Sequence, residues 1–375
     1  MTSGGGGVLR IGTRASALAL AQTGQVAGLL RAASQSESEI VEVTTSGDRG
    51  AGGEDASRGA SAGAGPGVGA GAADKSRWVD AIEQALLAGA IDLAVHSAKD
   101  VPGELADGLE LLGAPGRAAV VDVLCVAAVR GGEEGASQNG DPTRARVGHP
   151  QRVNASRRVD DDLALRSDAL EGLAPGARVG TSSIRRTAQL LAVRPDLEIV
   201  ALEGNVDTRL RKLADPSEAL DAIVLARAGL IRLGREDAAA EPGATLDPAR
   251  FVPAPGQGAL ALQSRAGDAR VVEAVANVLD ADATACLRAE RALARALDAS
   301  CHTPLGAYVR PAGCGCLLLS AWVGLPDGSA WVADELLGGF HDPDALGERA
   351  AERMLEAGAG ELLRQAKNKL AGADA

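Results

Sequence analysis

Aromatic side chains are nearly missing from this 375-residue chain, at 2% of the residues. Its interiors must therefore be packed from Ala, Val and Leu, and the 46% of hydrophobic residues is enough to do so. An excess of positive charge is missing too. The formal net charge of -12 argues against non-specific nucleic-acid binding, so any anionic ligand must be met by a local cluster of Arg and Lys. A disulfide framework is excluded by five cysteines, an odd count, at Cys125, Cys286, Cys301, Cys314 and Cys316. The Cys314/Cys316 pair lacks the further Cys and His ligands of a zinc site. No apolar run approaches the roughly 18 residues of a membrane span, and residues 1–7 are small and polar rather than a basic-then-apolar leader. The expectation is a reduced, cytoplasmic protein without membrane or nucleic-acid partners, in which the Asn154 sequon has no meaning. The length implies two or three domains.

What is present is a repeated order of strand, polar turn and helix. Residues 8–11 read as a strand that enters a turn at 12–16 and a helix over about 17–33, which brings free backbone N–H groups and a positive helix end to Arg14 and Ser16. The alternation over 39–45 predicts a second strand and a βαβ unit. Residues 47–73 are mostly Gly, Ala and Ser. Their Gly-x-Gly spacings have no strand immediately before them and no Gly-Lys-Ser/Thr phosphate loop appears, so the segment reads as a mobile loop or lid. A helix is predicted over 74–88, with Trp78, Val79, Ile82, Leu86 and Leu87 on its apolar side. Residues 90–96 predict a buried strand ending in His96, a packed core imidazole. Pro102 excludes Val101 from the helical region, so the chain turns at Lys99 and Asp100. An acid at the C-terminal end of a strand is a place for a working residue, and a surface turn with an incidental ion pair is the other reading.

The order then repeats. A strand over 120–129 precedes a polar, Gly-rich insert at about 130–171, read as a largely disordered loop. A short strand from 177 meets Thr181, Ser182 and Ser183, and a helix opens with Arg185 and Arg186 in its first turn. Arginine there opposes the helix dipole and makes sense if an anion is bound. Strands over 197–202 and 221–226 follow, with Arg209, Arg211 and Lys212 adding positive charge between them. The Gly/Pro-rich stretch 253–262 reads as a return link between domains. A helix over 283–297 stops before Pro304 and Gly306, which leaves Cys301 on a short constrained loop before a strand at 307–309. That cysteine is either a half-buried structural thiol or a nucleophile or covalent attachment point. A hairpin over 316–334 and an amphipathic helix over 343–363 complete the chain.

Six stretches, LRIGTRAS (9–16), DLAVHSAKDVP (92–102), GTSSIRR (180–186), GNVDTRL (204–210), PGQGA (255–259) and AERA (289–292) leading to Cys301, together resemble the porphobilinogen deaminase (hydroxymethylbilane synthase) family of tetrapyrrole biosynthesis. They occur in the family's order and cover nearly the whole chain outside the two inserts. The resemblance implies an α/β protein of three domains. The first two are periplasmic-binding-protein-like with mixed sheets (1–116 with 257–276, then 117–256), and the third is a small open-faced α/β domain (281–375). It implies a dipyrromethane cofactor bound by thioether to Cys301, onto which four porphobilinogens are joined head to tail with loss of ammonia before hydrolysis frees hydroxymethylbilane. It makes Asp100 the catalytic acid. It gives contacts to the cofactor and the growing polypyrrole to Arg14, Ser16, Ser97, Lys99, Thr181, Ser182, Ser183, Arg185, Arg186, Arg209 and Gln257. No metal is implied, and a monomer is. The chemistry agrees, because each pyrrole carries an acetate and a propionate and the product is a polyanion that needs guanidinium groups around one cleft.

Three departures stand out. The Arg that members carry before Gly204 is Glu203; the Gly-rich loop that ends in Phe has become 72–78; and an Arg-Glu-Asp-Pro-Arg-Asp segment is reduced to 117–122. A degenerate relative that holds dipyrromethane or another small polyacid without elongating it is therefore the competing reading.

Overall fold

The computed structural model describes residues 8–34, 37–43, 73–127, 168–239, 245–300 and 302–373. The Gly-rich loop, nearly all of the 130–171 insert, the side chain of Trp78 and the whole of Cys301 lie outside the described residues.

The first sheet is built from β1 (Leu9–Thr13), α1 (Ala17–Ser34), β2 (Ser38–Glu42), α2 (Ala73–Leu87), β3 (Leu93–Ser97) and β4 (Leu109–Gly113), together with a strand that returns much later. The second is built from β5 (Asp122–Val126), α3 (Asp168–Glu171), β6 (Arg178–Gly180), α4 (Ile184–Val193), β7 (Glu198–Val200), α5 (Val206–Ala214), β8 (Ala222–Ala226) and α6 (Arg227–Arg232). The chain then goes back through β9 (Leu260–Arg265), which pairs antiparallel with both β3 and β4, and continues into α7 (Ala269–Val275). The two sheet orders, β2-β1-β3-β9-β4 and β5-β8-β6-β7, share one pattern. Three parallel strands run second-first-third, and a crossover strand lies antiparallel beside the third. This is the pair of mixed-sheet α/β units expected. All the parallel strands of a sheet end at one edge, where ligands of such sheets bind.

The third sheet follows α8 (Ala281–Ala296). It is an antiparallel meander of β10 (Leu305–Pro311), β11 (Cys316–Gly324) and β12 (Trp331–Gly339), covered by α8, α9 (Pro343–Glu356) and α10 (Ala359–Ala373). Small side chains dominate that core, with Ala285, Ala289, Ala307, Ala321, Ala350 and Ala351 interleaved with Leu and Val. Three of the six aromatics meet at one seam instead. Trp322, with Tyr308 and Trp331, packs against Ala188, Ala192 and Val252 of the second sheet's unit.

Several elements differ from the sequence expectation. Of the strand expected over 120–129, the described residues form Asp122–Val126 while 128–129 lie outside them, and that expected over 197–202 is only Glu198–Val200. The strand expected at 307–309 extends to Leu305–Pro311. The single C-terminal helix is two, broken at Ala357 and Gly358. Leu87 is exposed, whereas Val79, Ile82 and Leu86 are buried as read. β4 and α7 were not legible: LELLG follows neither helical nor strand alternation, and α7 is only two turns long.

His96 is a core imidazole, as its sequence context predicts. Gln263 donates through its amide nitrogen to Glu83 at 2.7 Å, so its oxygen is left to accept from His96 Nε2 at 2.9 Å. Neutral His96 therefore carries its proton on Nε2. Burial brings its pKa down to about 4 from 6.5, against the pull of Gln263 and Asp100. A lowered histidine makes the folded state bind fewer protons than the unfolded one between those two values. Its contribution is fully present above pH 6.5 and is lost as pH falls toward 4. We expect about 3 kcal/mol less stability at pH 4 than at pH 7 from this group. Urea unfolding across that range should show the loss, and His96→Gln should flatten it.

Candidate active site

At the first sheet's edge, β1 ends at Thr13 and delivers a half-buried Arg14, while β3 ends at Ser97 and enters a single 3-10 turn, Ala98–Asp100. Val101 is extended (φ -77°, ψ 127°), as the following Pro102 requires, so the turn cannot continue as a helix. Asp100 is left half-buried and Lys99 exposed. The turn is backed by the return link. Gly256 has φ +75°, and a Cβ there would lie 2.9 Å from the Ala98 carbonyl carbon and 3.0 Å from the Lys99 nitrogen. Only glycine permits both that conformation and that approach. Ser16 caps α1 by accepting from the Ala19 amide, and Ser97 exchanges hydrogen bonds with the buried Gln22 side chain.

At the second edge, Thr181 is buried and accepts from the Ser183 amide, Ser182 accepts from the Leu202 amide, and Ser183 caps α4 by accepting from the Arg186 amide. The paired arginines, expected from sequence to meet a bound anion, are instead paired with an internal carboxylate. Asp122, fully buried at the start of β5, accepts from Arg185 at 2.7 Å and twice from Arg186, at 2.7 and 3.2 Å. Arg185 also donates to the Val252 carbonyl and Arg186 to that of Val224. Burial works against the Asp122 charge, but the two guanidinium groups outweigh it and hold the carboxyl far below the ordinary range. Gln257 adds a bond from its amide nitrogen to Asp122 at 3.0 Å and one to the Val120 carbonyl, and its oxygen has no partner among the described residues. The return link is thus tied to the same carboxylate.

Arg209 joins the two edges. Its Nε donates to the Gly204 carbonyl at 2.8 Å. Burial first and Arg186 second bring its pKa down to about 10, while Glu203 and Asp100 pull the other way. Asp100 of one unit and Arg209, Arg186 and Glu203 of the other therefore share one electrostatic neighbourhood. Glu203 is exposed, and in that neighbourhood it adds a negative charge where the ligand's charges would be negative.

Three functional features escaped the sequence reading. Arg232 of α6 has burial as the sole cause lowering its pKa; it donates to the Gly258 carbonyl, and its Nε has no partner among the described residues. A half-buried guanidinium with an unpaired Nε has hydrogen-bonding capacity to spare for an anion. Asp122 gave a faint signal, a lone acid opening an apolar strand. So did Glu290, a lone acid on the buried face of an Ala-rich helix, which pairs with Arg117 at 2.7 and 3.0 Å. The reduced 117–122 segment thus keeps an ionic anchor at each end. Four described cysteines are free, and burial pushes Cys125 up to about 11 and Cys286 up to about 12, so both are unreactive thiols. Among the described residues no cluster could hold a metal, and no helix is long and apolar enough to cross a membrane.

Comparison with known proteins matches the model of the porphobilinogen deaminase dipyromethane cofactor binding domain over residues 9–273, and that of the porphobilinogen deaminase C-terminal domain over 284–356. Curated porphobilinogen deaminases resemble the chain along nearly all its length. That of Rubrobacter xylanophilus is 39% identical over 357 residues, 95% of this chain and 97% of its own. That of Roseiflexus castenholzii is 39% identical over 95% and 98%, and that of Xanthomonas euvesicatoria 40% over 95% and 98%.

Proposed function

The chain belongs to the porphobilinogen deaminase family, and we propose that in it Asp100 is the catalytic acid, Cys301 the cofactor anchor and the facing arginines the carboxylate receptors. Its activity is the head-to-tail condensation of porphobilinogen into hydroxymethylbilane, with a covalent dipyrromethane as primer. The relatives lend nothing to the alternative of a binder that does not elongate. The observation that carries the residue assignment is the convergence of Asp100 with Arg209 across the two sheet edges.

The residues fit the cofactor's chemistry. Dipyrromethane carries four carboxylates, and the cleft edges hold more buried guanidinium groups than carboxylates to meet them, with the Nε atoms of Arg185 and Arg232 unsatisfied among the described residues. Arg14, Arg209 and Arg232 would hold its side chains, with Lys99 and Ser182 at the rim. When bound, it supplies an electron-rich pyrrole carbon as the growing end. Asp100 accepts the pyrrole N–H hydrogen bonds and stabilises the cationic methylene carbon left when the C–N bond of the substrate's aminomethyl arm breaks and its amino group departs as ammonia. Ser16, Ser97, Thr181, Ser183 and Gln257 act through the backbone and side chains that they tie. The pair Arg185 and Arg186 sets the local positive field while anchored on Asp122, so direct contact falls mainly to Arg209 and Arg232.

The domain limits read from sequence fit this assignment, since 1–116 with 257–276, 117–256 and 281–375 each hold one sheet. The protein acts as a monomer in the reducing cytoplasm, a reading that the free thiols support. The test is incubation of the purified protein with porphobilinogen. Release of ammonia and of hydroxymethylbilane is expected, and no bilane at any enzyme concentration rules the function out. Glu203→Arg removes one misplaced negative charge and restores the family's positive one. It should lower KM for porphobilinogen roughly three- to tenfold at low salt, an effect that fades as salt rises.

A further inference from the structure

The catalytic turn is held by a helix outside the cleft. α8 runs beneath it: Ala283 and Leu287 pack with Ala98, Val101 and Ala259 in one small core. Arg291 follows one helical turn later on the same face. It is 8% exposed, and its guanidinium donates to three consecutive carbonyls, of Val101 at 3.3 Å, Pro102 at 2.7 Å and Gly103 at 3.0 Å. Pro102 has no N–H, so these carbonyls are the handles by which the stretch after Asp100 can be gripped. A buried cation committed to neutral carbonyls is unusual. Burial, then Arg295, brings its pKa down to about 10 against the pull of Glu104. The residue before it, Glu290, is fully buried and accepts from the Gly256 amide at 2.6 Å, and Gly256 lies against Ala98 and Lys99. Two consecutive residues of α8 thus grip the Asp100 turn from both sides. Arg288 and Arg295, on the same helix and beside the same open groove of about 630 Å³, instead hold Asp344 at the surface.

We propose that Arg291 is a positioning residue for the condensation. It fixes the carbonyls after Asp100, and with them the direction of the carboxylate, and it ties that direction to the helix whose C-terminal end leads to the Cys301 loop. The inference rests on Asp100 being the catalytic acid. Its test uses the holoenzyme with Arg291→Gln, Arg291→Lys and, as a control, Arg295→Gln. Arg291→Gln should lower kcat by about 10- to 100-fold, the scale of a misplaced catalytic group, and Arg291→Lys by less. KM should stay within about threefold of the parent, as expected when only transition-state contacts suffer. The pyrrole adduct should be retained, and Arg295→Gln should match the parent enzyme. On an Asp100→Glu background, Arg291→Gln should cost less than it does alone, because both act through one carboxylate. Unchanged kcat in folded, adduct-bearing Arg291 variants overturns the proposal, and so do losses that simply multiply with those of Asp100→Glu. If Arg291→Gln does not fold, Arg291→Lys carries the same comparisons. Full activity in Asp100→Ala would instead sink the active-site reading itself, a separate result.

Discussion

Replacing Asp100 by alanine should lower kcat by roughly 10³-fold, the scale on which a single preorganised group contributes to charge stabilisation in a water-poor site. The protein should still fold and still carry its pyrrole adduct, because Asp100 lies on a short turn supported by the Gly256 link and by Arg291, and contributes no buried side chain to a core. Substrate affinity should change little, since the positive charge of Arg14, Arg209 and Arg232 remains. Steady-state kinetics with porphobilinogen, together with the intact mass of the variant, separates the two expectations. A variant within tenfold of the parent in kcat would remove Asp100 from the chemistry, and one that had lost its adduct would make it an assembly residue.

The second large effect lies away from the chemistry. Asp122→Ala leaves Arg185 and Arg186 buried without their carboxylate and also removes the tie to Gln257. Removing one partner of a buried ionic group costs about 3–5 kcal/mol, because the remaining charges are uncompensated. Thermal unfolding should shift down by roughly 10 °C. The depressed carboxyl also gives a sign. Asp122 contributes fully above its ordinary value of 3.8 and loses its contribution only as pH falls toward its much lower folded value. The parent protein should thus lose the His96 contribution first, between pH 6.5 and 4, and the Asp122 contribution only in stronger acid. A calorimetric scan of Asp122→Ala that matched the parent would mean that Asp122 does not hold the paired arginines in solution.

The two examples show where sequence is informative and where it stops. The placement of Arg185 and Arg186 in a first helical turn predicted a bound anionic ligand, whereas the anion that the structure puts against them is one of the protein's own carboxylates. That it is Asp122, more than sixty residues earlier, depends on β5 crossing back beside β8, a long-range pairing with no local signature. The turn at Asp100 was legible because Pro102 restricts Val101, a rule that acts between neighbours. Its supports were not, since Gly256, Glu290 and Arg291 reach it from the return link and from α8. The strand-turn-helix repeats gave the mixed α/β class, whereas β4 was hidden because a half-exposed strand carries no boundary, and the break between α9 and α10 was missed although Gly358, at φ +98°, marks it. The shortage of aromatics correctly pointed to Ala-, Val- and Leu-filled cores, but not to the placing of Trp322, Trp331 and Tyr308 at the seam with α4.

Intact-protein mass spectrometry during a titration with limiting porphobilinogen tests the joint claim about Cys301, Asp100 and the arginine-lined cleft. The parent protein should weigh one dipyrromethane more than its chain, climb in equal steps of one pyrrole unit as substrate is added, and fall back to its starting mass as bilane is released. Cys301→Ala should show the bare chain, and Asp100→Ala the starting adduct with its steps all but stopped. A bare parent chain, an adduct that survives Cys301→Ala, or a full ladder in Asp100→Ala contradicts the account.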